Sequence, residues 1–162
     1  MGLASILKSR LIPAELENHI NRIRKPIGSL GYDPWGYNNE VMKYGFSLTR
    51  QIYEKYFRVE ATGVDKIPSE GPVLIVPNHS GQLPVDGLLI AYALASREKN
   101  PRIPRAMIER FFPTVPYLGN LLNEFGAGLG DPPNCAKMLA NGEAVIVFPE
   151  GVRGSGKLYR DR

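Results

Sequence analysis

Pro72-Val73-Leu74-Ile75-Val76-Pro77-Asn78-His79 runs from an unbroken apolar segment straight into a polar pair, and Ala144-Val145-Ile146-Val147-Phe148-Pro149-Glu150-Gly151-Val152-Arg153 repeats that design about seventy residues later. Short apolar runs closed by turn residues read as buried strands. In an open α/β sheet, the crevice outside the carboxyl ends of the strands is where sites gather. His79 with the downstream Asp86, and Glu150 with Arg153, can therefore face one crevice. A histidine held by a carboxylate can take a proton from a hydroxyl, and an arginine fork suits phosphate or carboxylate. The combination suggests transfer to a hydroxyl on an anionic substrate.

The elements around these runs support an α/β reading. Leu16, Ile20 and Ile23 fall at helical spacing after Pro13, with Glu17, Arg22 and Arg24 opposite; His19 reads as solvated. Residues 25–38, rich in glycine and proline, form a loop that Trp35 is expected to pack down. A second helix is expected over residues 39–57, with Val41, Gly45, Leu48, Ile52 and Tyr56 as its packed stripe. It packs on the domain in the favoured reading; lying on a membrane would call for more lysine opposite the stripe. Residues 58–63 and 72–77 read as strands and residues 86–97 as a helix, whose Asp86 is either an N-cap or a partner of His79. Residues 102–108 form a further strand, and the aromatic stretch 111–117 is either an acyl-chain wall or a core corner. Asp131 caps a helix that Asn141-Gly142 stops, before the strand 144–148. Alternating strands and helices make an α/β sheet the architecture.

At 162 residues, with 43% hydrophobic and 22% charged residues, the chain suits a single globular domain. A net charge of +4 without a basic run interleaved with aromatics argues against nucleic acid, and suits an anionic membrane surface or phosphorylated substrate. One cysteine, Cys135, precludes an intrachain disulfide and is assigned to packing; two histidines, His19 and His79, make no zinc-ligand cluster. The first ten residues lack the order of a secretion signal, so none is expected. The longest apolar stretch, residues 88–95, falls well short of the roughly 18 needed to span a bilayer. Membrane association, where it occurs, is expected to be peripheral.

Asn78-His79 with a downstream Asp86, then Phe148-Pro149-Glu150-Gly151-Val152-Arg153, resembles the glycerolphosphate and lysophospholipid acyltransferase family, the 1-acylglycerol-3-phosphate O-acyltransferase-like proteins. The resemblance runs from Val59 to Arg162 and includes residues 125–131 and 134–142. It implies a mixed sheet flanked by helices over residues 58–162, preceded by an N-terminal helical region and linker over residues 1–57. It implies an acyl thioester donor, acyl-CoA or acyl carrier protein, a lysophospholipid or related glycerolipid acceptor, and no cofactor or metal. The place of work it implies is cytoplasmic, peripheral at the inner face of a membrane. His79 would be the general base, Asp86 its orienting partner, and Glu150, Gly151 and Arg153 would bind the acceptor. The family usually separates its histidine and aspartate by four residues, and here six intervene, with Pro84 where the aspartate would stand. Its middle motif usually supplies a basic residue for phosphate. Residues 126–130 hold none, so Arg105, Arg110 or Arg153 would substitute. Family members continue past this point into further strands, so the chain resembles the N-terminal part of a longer enzyme and is expected to expose apolar surface or an unpaired sheet edge.

Three rivals share these residues. Ser80 beside His79 invites a hydrolase, but no Gly-x-Ser-x-Gly elbow is present. Gly151 to Lys157 satisfies a Gly-x-x-x-x-Gly-Lys string, but Leu158 follows where a P-loop places Ser or Thr on magnesium. The last is a catalytically silent lipid-binding fragment or scaffold.

Overall fold

The computed structural model describes residues 10–23, 25–79 and 85–149. Helix α1 (Ala14–Arg22) buries Leu16 and Ile20. Helix α2 (Asn39–Gln51) starts at Asn38, whose side chain accepts from the backbone N–H groups of Glu40 and Val41, and runs into one π turn at Ile52–Tyr56. Strand β1 (Val73–Ile75) leads to helix α3 (Val85–Ala95) and strand β2 (Arg105–Ile108). Helix α4 (Leu118–Glu124) and strand β3 (Gly128–Leu129) follow. Pro132 and the Asp131 cap, which accepts from Asn134 N–H at 2.8 Å, then set the start of helix α5 (Pro132–Ala140) before strand β4 (Ala144–Ile146). The strands form one parallel sheet in the order β1-β4-β2-β3, with Val73 opposite Ala144 and Arg105 opposite Val145. All of Ala144, Val145 and Ile146 are buried, as a central parallel strand requires. Ile12, Leu16, Ile20, Tyr37, Met42, Phe46, Tyr92 and Ile103 share one core, so the N-terminal helices pack directly on α3 and the approach to β2.

Several expectations are corrected. Residues 58–63 make no strand: Arg58 takes a left-handed φ of 50°, and Val59 N–H returns to the carbonyl of Tyr53. The segment therefore closes the π turn rather than joining the sheet. On α2 the packed face is Met42, Phe46 and Thr49, with Tyr53 against it, while Leu48 and Tyr56 are 65% and 76% exposed. The helix carries two apolar stripes, and the one holding Phe46 wins because its ring lies 4.6 Å from that of Tyr92. His19 is not simply solvated. Its Nε2 lies 2.6 Å from the Ala95 carbonyl and its ring stacks on Phe46, which ties α1 to the end of α3. In the 25–38 loop the fully buried anchor is Tyr37, not the half-buried Trp35.

Strand β1 lies at one edge of the sheet among the described residues, with Leu74 51% and Val76 57% exposed. An apolar edge strand invites pairing with another chain. The protein is expected to self-associate as concentration rises, and Leu74→Lys with Val76→Lys to shift it toward monomer in light scattering after size exclusion. A wild-type chain that stays monomeric throughout the titration refutes this.

Candidate functional site

Because β1 and β4 are parallel neighbours, the segments leaving their carboxyl ends emerge side by side. His79 lies four residues past the end of β1 and Phe148 two past the end of β4, and their rings are 4.6 Å apart with planes inclined by 40°. The first part of each motif thus meets at one place.

Asp86 is the second residue of α3, inside the first turn rather than before it. Among the described residues its carboxylate serves two neighbours. Oδ1 accepts from Gly87 N–H at 2.8 Å, and Oδ2 lies 2.7 Å from His79 Nδ1. An ionised carboxylate only accepts, so Nδ1 carries the shared proton and the lone pair of the neutral ring sits on Nε2. The side chains of His79 and Asp86 are 13% and 18% exposed, so the pair is shielded without being sealed. The six residues between them do not prevent the bond. A ring in this state can accept a proton from a hydroxyl brought to Nε2.

Of the other residues that sequence singles out, Glu150, Gly151 and Arg153 lie outside the described residues, as do Ser80 and the Gly151 to Lys157 string. Arg110 is exposed, two residues past β2 and at the same end of the sheet as His79. Arg105 requires a correction. It is fully buried at the start of β2, where its guanidinium pairs with Asp33 and, at 2.9 Å, with Glu143; Lys25 Nζ meets Glu143 at 2.7 Å. Asp33 also accepts from the backbone N–H groups of Trp35 and Tyr37, both at 2.9 Å. Arg105 thus holds the 25–38 loop against the sheet and has no exposed atom to offer a substrate.

Electrostatics support that assignment. Burial pushes the Glu143 carboxyl up, but the Arg105 hydrogen bond and the Lys25 charge outweigh it and hold the group below the usual range. Burial, then the Arg105 charge, push Lys25 down against the opposing pull of Glu143. A cleft of about 970 Å³ opens beside this network, at the amino ends of the strands. Its size does not make it the stronger candidate: Lys25 is held by Glu143, and Arg102 bonds the carbonyls of Pro68, Gly71 and Gly142. No cluster of three or more metal-ligating side chains occurs among the described residues.

The acyltransferase family model matches residues 58–160, which contain both motifs. The chain belongs to the acyltransferase family. It is 32% identical over 136 residues to an uncharacterized protein of Mycobacterium leprae, covering 84% of this chain and 36% of that one, and 33% identical over 136 residues to one of Mycobacterium tuberculosis, covering 84% and 37%. It is 32% identical over 94 residues to a Bos taurus protein named "DGAT1/2-independent enzyme synthesizing storage lipids", covering 58% of this chain and 27% of that protein. The chain thus spans about a third of the length of the mycobacterial relatives it matches. No solved structure matches it significantly.

Sequence reasoning missed Phe148 and Gly87 as parts of this site. Phe148 was visible only as one letter of a motif; Gly87 carried no signal except as a glycine near the start of a helix.

Proposed function

We propose that the protein transfers a fatty acyl group from an acyl thioester, acyl-CoA or acyl carrier protein, to the hydroxyl of a lysophospholipid or related glycerolipid. The observation that carries this is the 2.7 Å contact between His79 Nδ1 and Asp86 Oδ2, in a chain whose family transfers acyl groups. The hydroxyl proton passes to Nε2 as oxygen attacks the thioester carbonyl. The tetrahedral intermediate expels the thiolate, which recovers the proton from the imidazolium, so the ring ends as it began. Asp86 keeps the ring in the right tautomer and stabilises its charged form. Glu150, Gly151, Arg153 and Arg110 are assigned to the polar end of the acceptor. The name of the Bos taurus relative, which refers to storage lipids, supports a glycerolipid acceptor. No helix among the described residues is long and apolar enough to cross a membrane. The exposed Tyr44, Leu48, Tyr56 and Phe57 support peripheral work at a membrane surface, assigned here to its cytoplasmic face.

The test is an acyl-transfer assay on the full-length protein, with acyl-CoA and acyl carrier protein donors against a panel of lysophospholipid and neutral glycerolipid acceptors, products read by mass spectrometry. Acceptor-dependent thiol release with formation of the acylated lipid is expected. Lipid binding without turnover would replace this reading with the scaffold, and magnesium-dependent nucleotide hydrolysis with the P-loop.

A further inference from the structure

One hydrogen bond does not fix a ring. The bond from His79 Nδ1 to Asp86 Oδ2 sets the distance and tautomer but leaves the imidazole free to swing about that axis, which would carry Nε2 out of line with an incoming hydroxyl. A flat partner packed against the ring supplies the missing constraint. Phe148 is that partner, 4.6 Å from the imidazole centroid and inclined by 40°, within the range of favourable aromatic contacts.

Phe148 needs room for its ring, and Gly87 provides it. A β-carbon at position 87 would stand 3.2 Å from Phe148 Cε2 and 3.5 Å from Cζ, so even alanine would press on the ring. Backbone geometry gives no other reason for glycine there, because Gly87 is not among the positive-φ residues. Glycine inside a helix is ordinarily less favourable than alanine. Its N–H also donates to Asp86 Oδ1, so Asp86-Gly87 bears on the histidine by two routes, directly through the carboxylate and indirectly through Phe148.

We propose that Phe148 is a positioning residue for His79 and that Gly87 is the slot that seats it, so the two motifs are coupled by packing as well as by substrate. The role assigned to His79 rests on the acyl-transfer reading; the geometry of the ring does not. The test therefore combines nitrogen-15 imidazole spectra of the full-length protein with steady-state kinetics on Gly87→Ala, Phe148→Ala, Phe148→Leu and the Gly87→Ala/Phe148→Leu pair. In the wild type a single Nδ1–H tautomer is expected for His79, with His19 as the internal reference. Gly87→Ala and Phe148→Ala should broaden that signal, as the ring samples more than one orientation while the Asp86 bond keeps the tautomer, and lower kcat with KM unchanged: by up to about 10²-fold for Phe148→Ala, as for a misplacement of about 1 Å, and by less for Gly87→Ala, whose methyl asks the ring to give by only a few tenths of an ångström. Adding Gly87→Ala to Phe148→Leu should cost nothing beyond Phe148→Leu alone, because the shorter leucine accepts the added methyl. If Phe148→Ala fails to fold, Gly87→Ala alone and in the Phe148→Leu background decides the matter.

A wild-type imidazole spectrum and kcat in Gly87→Ala overturn the proposal. So does a rise in KM alone, which would make Phe148 a substrate contact. If the wild-type protein transfers no acyl group, the proposed function fails while the spectra still decide whether Phe148 and Gly87 hold the ring.

Discussion

His79→Ala should reduce acyl transfer by about 10²- to 10⁴-fold in kcat, the contribution typical of a positioned general base. The alanine removes the group that receives the hydroxyl proton and leaves thioester and acceptor binding to other residues, so KM should change little. Asp86→Asn asks a subtler question. Its amide can turn an N–H toward His79 Nδ1, and the ring proton then moves to Nε2, where the lone pair was needed. A loss comparable to His79→Ala is expected if tautomer control matters as much as the imidazole itself. His19→Ala is the contrasting control: that side chain bonds Ala95 O and stacks on Phe46, so its loss should lower the melting temperature and spare kcat. Full activity in His79→Ala, in a protein shown by circular dichroism to be folded, would remove the base from the mechanism.

How far the sequence reveals this arrangement depends on the range of the interactions. Strands β1 and β4 are legible because each is a run of apolar residues closed by proline, and α5 because Asp131, Pro132 and Gly142 mark its ends. The His79 and Asp86 partnership is legible from its motif despite the wider spacing. The fate of residues 58–63 is not, because the alternation there is satisfied equally well by a strand or by a segment that bonds back to Tyr53. The face of α2 is decided by Tyr92 and Phe125, which no local pattern on that helix reveals. Gly45 shows the same limit, since a β-carbon there would stand 2.6 Å from the Phe125 ring. Arg105 is the sharpest case. In sequence it is one basic residue within a predicted strand, suited to phosphate, while its partners Asp33 and Glu143 lie 72 and 38 positions away.

Glu143→Gln should be strongly destabilising, by about 3–5 kcal/mol at neutral pH, the range for removing one partner of a buried ion pair. The carboxylate is 13% exposed and touches two cations, Arg105 at 0% and Lys25 at 7% exposure. Without it, Lys25 loses its ion-pair partner and Arg105 retains only Asp33. Arg105 already has buried Nε and Nη1 groups without hydrogen-bond partners, so it has little to fall back on. The pH dependence follows from the sign of the shift. The Glu143 pKa is lower in the folded than in the unfolded chain, so the unfolded state binds the proton more readily. Its contribution is complete above the unfolded value of about 4.3 and is lost as pH falls through the lower folded value. Urea titrations between pH 7 and pH 3 should therefore show wild type losing stability below about pH 4.3 more steeply than Glu143→Gln, so that the two curves converge in acid. Curves that stay parallel would show that Glu143 contributes nothing through its charge. A near-zero loss at neutral pH would mean that the loop carrying Asp33 and Lys25 is held to the sheet by Tyr37 and its apolar neighbours alone.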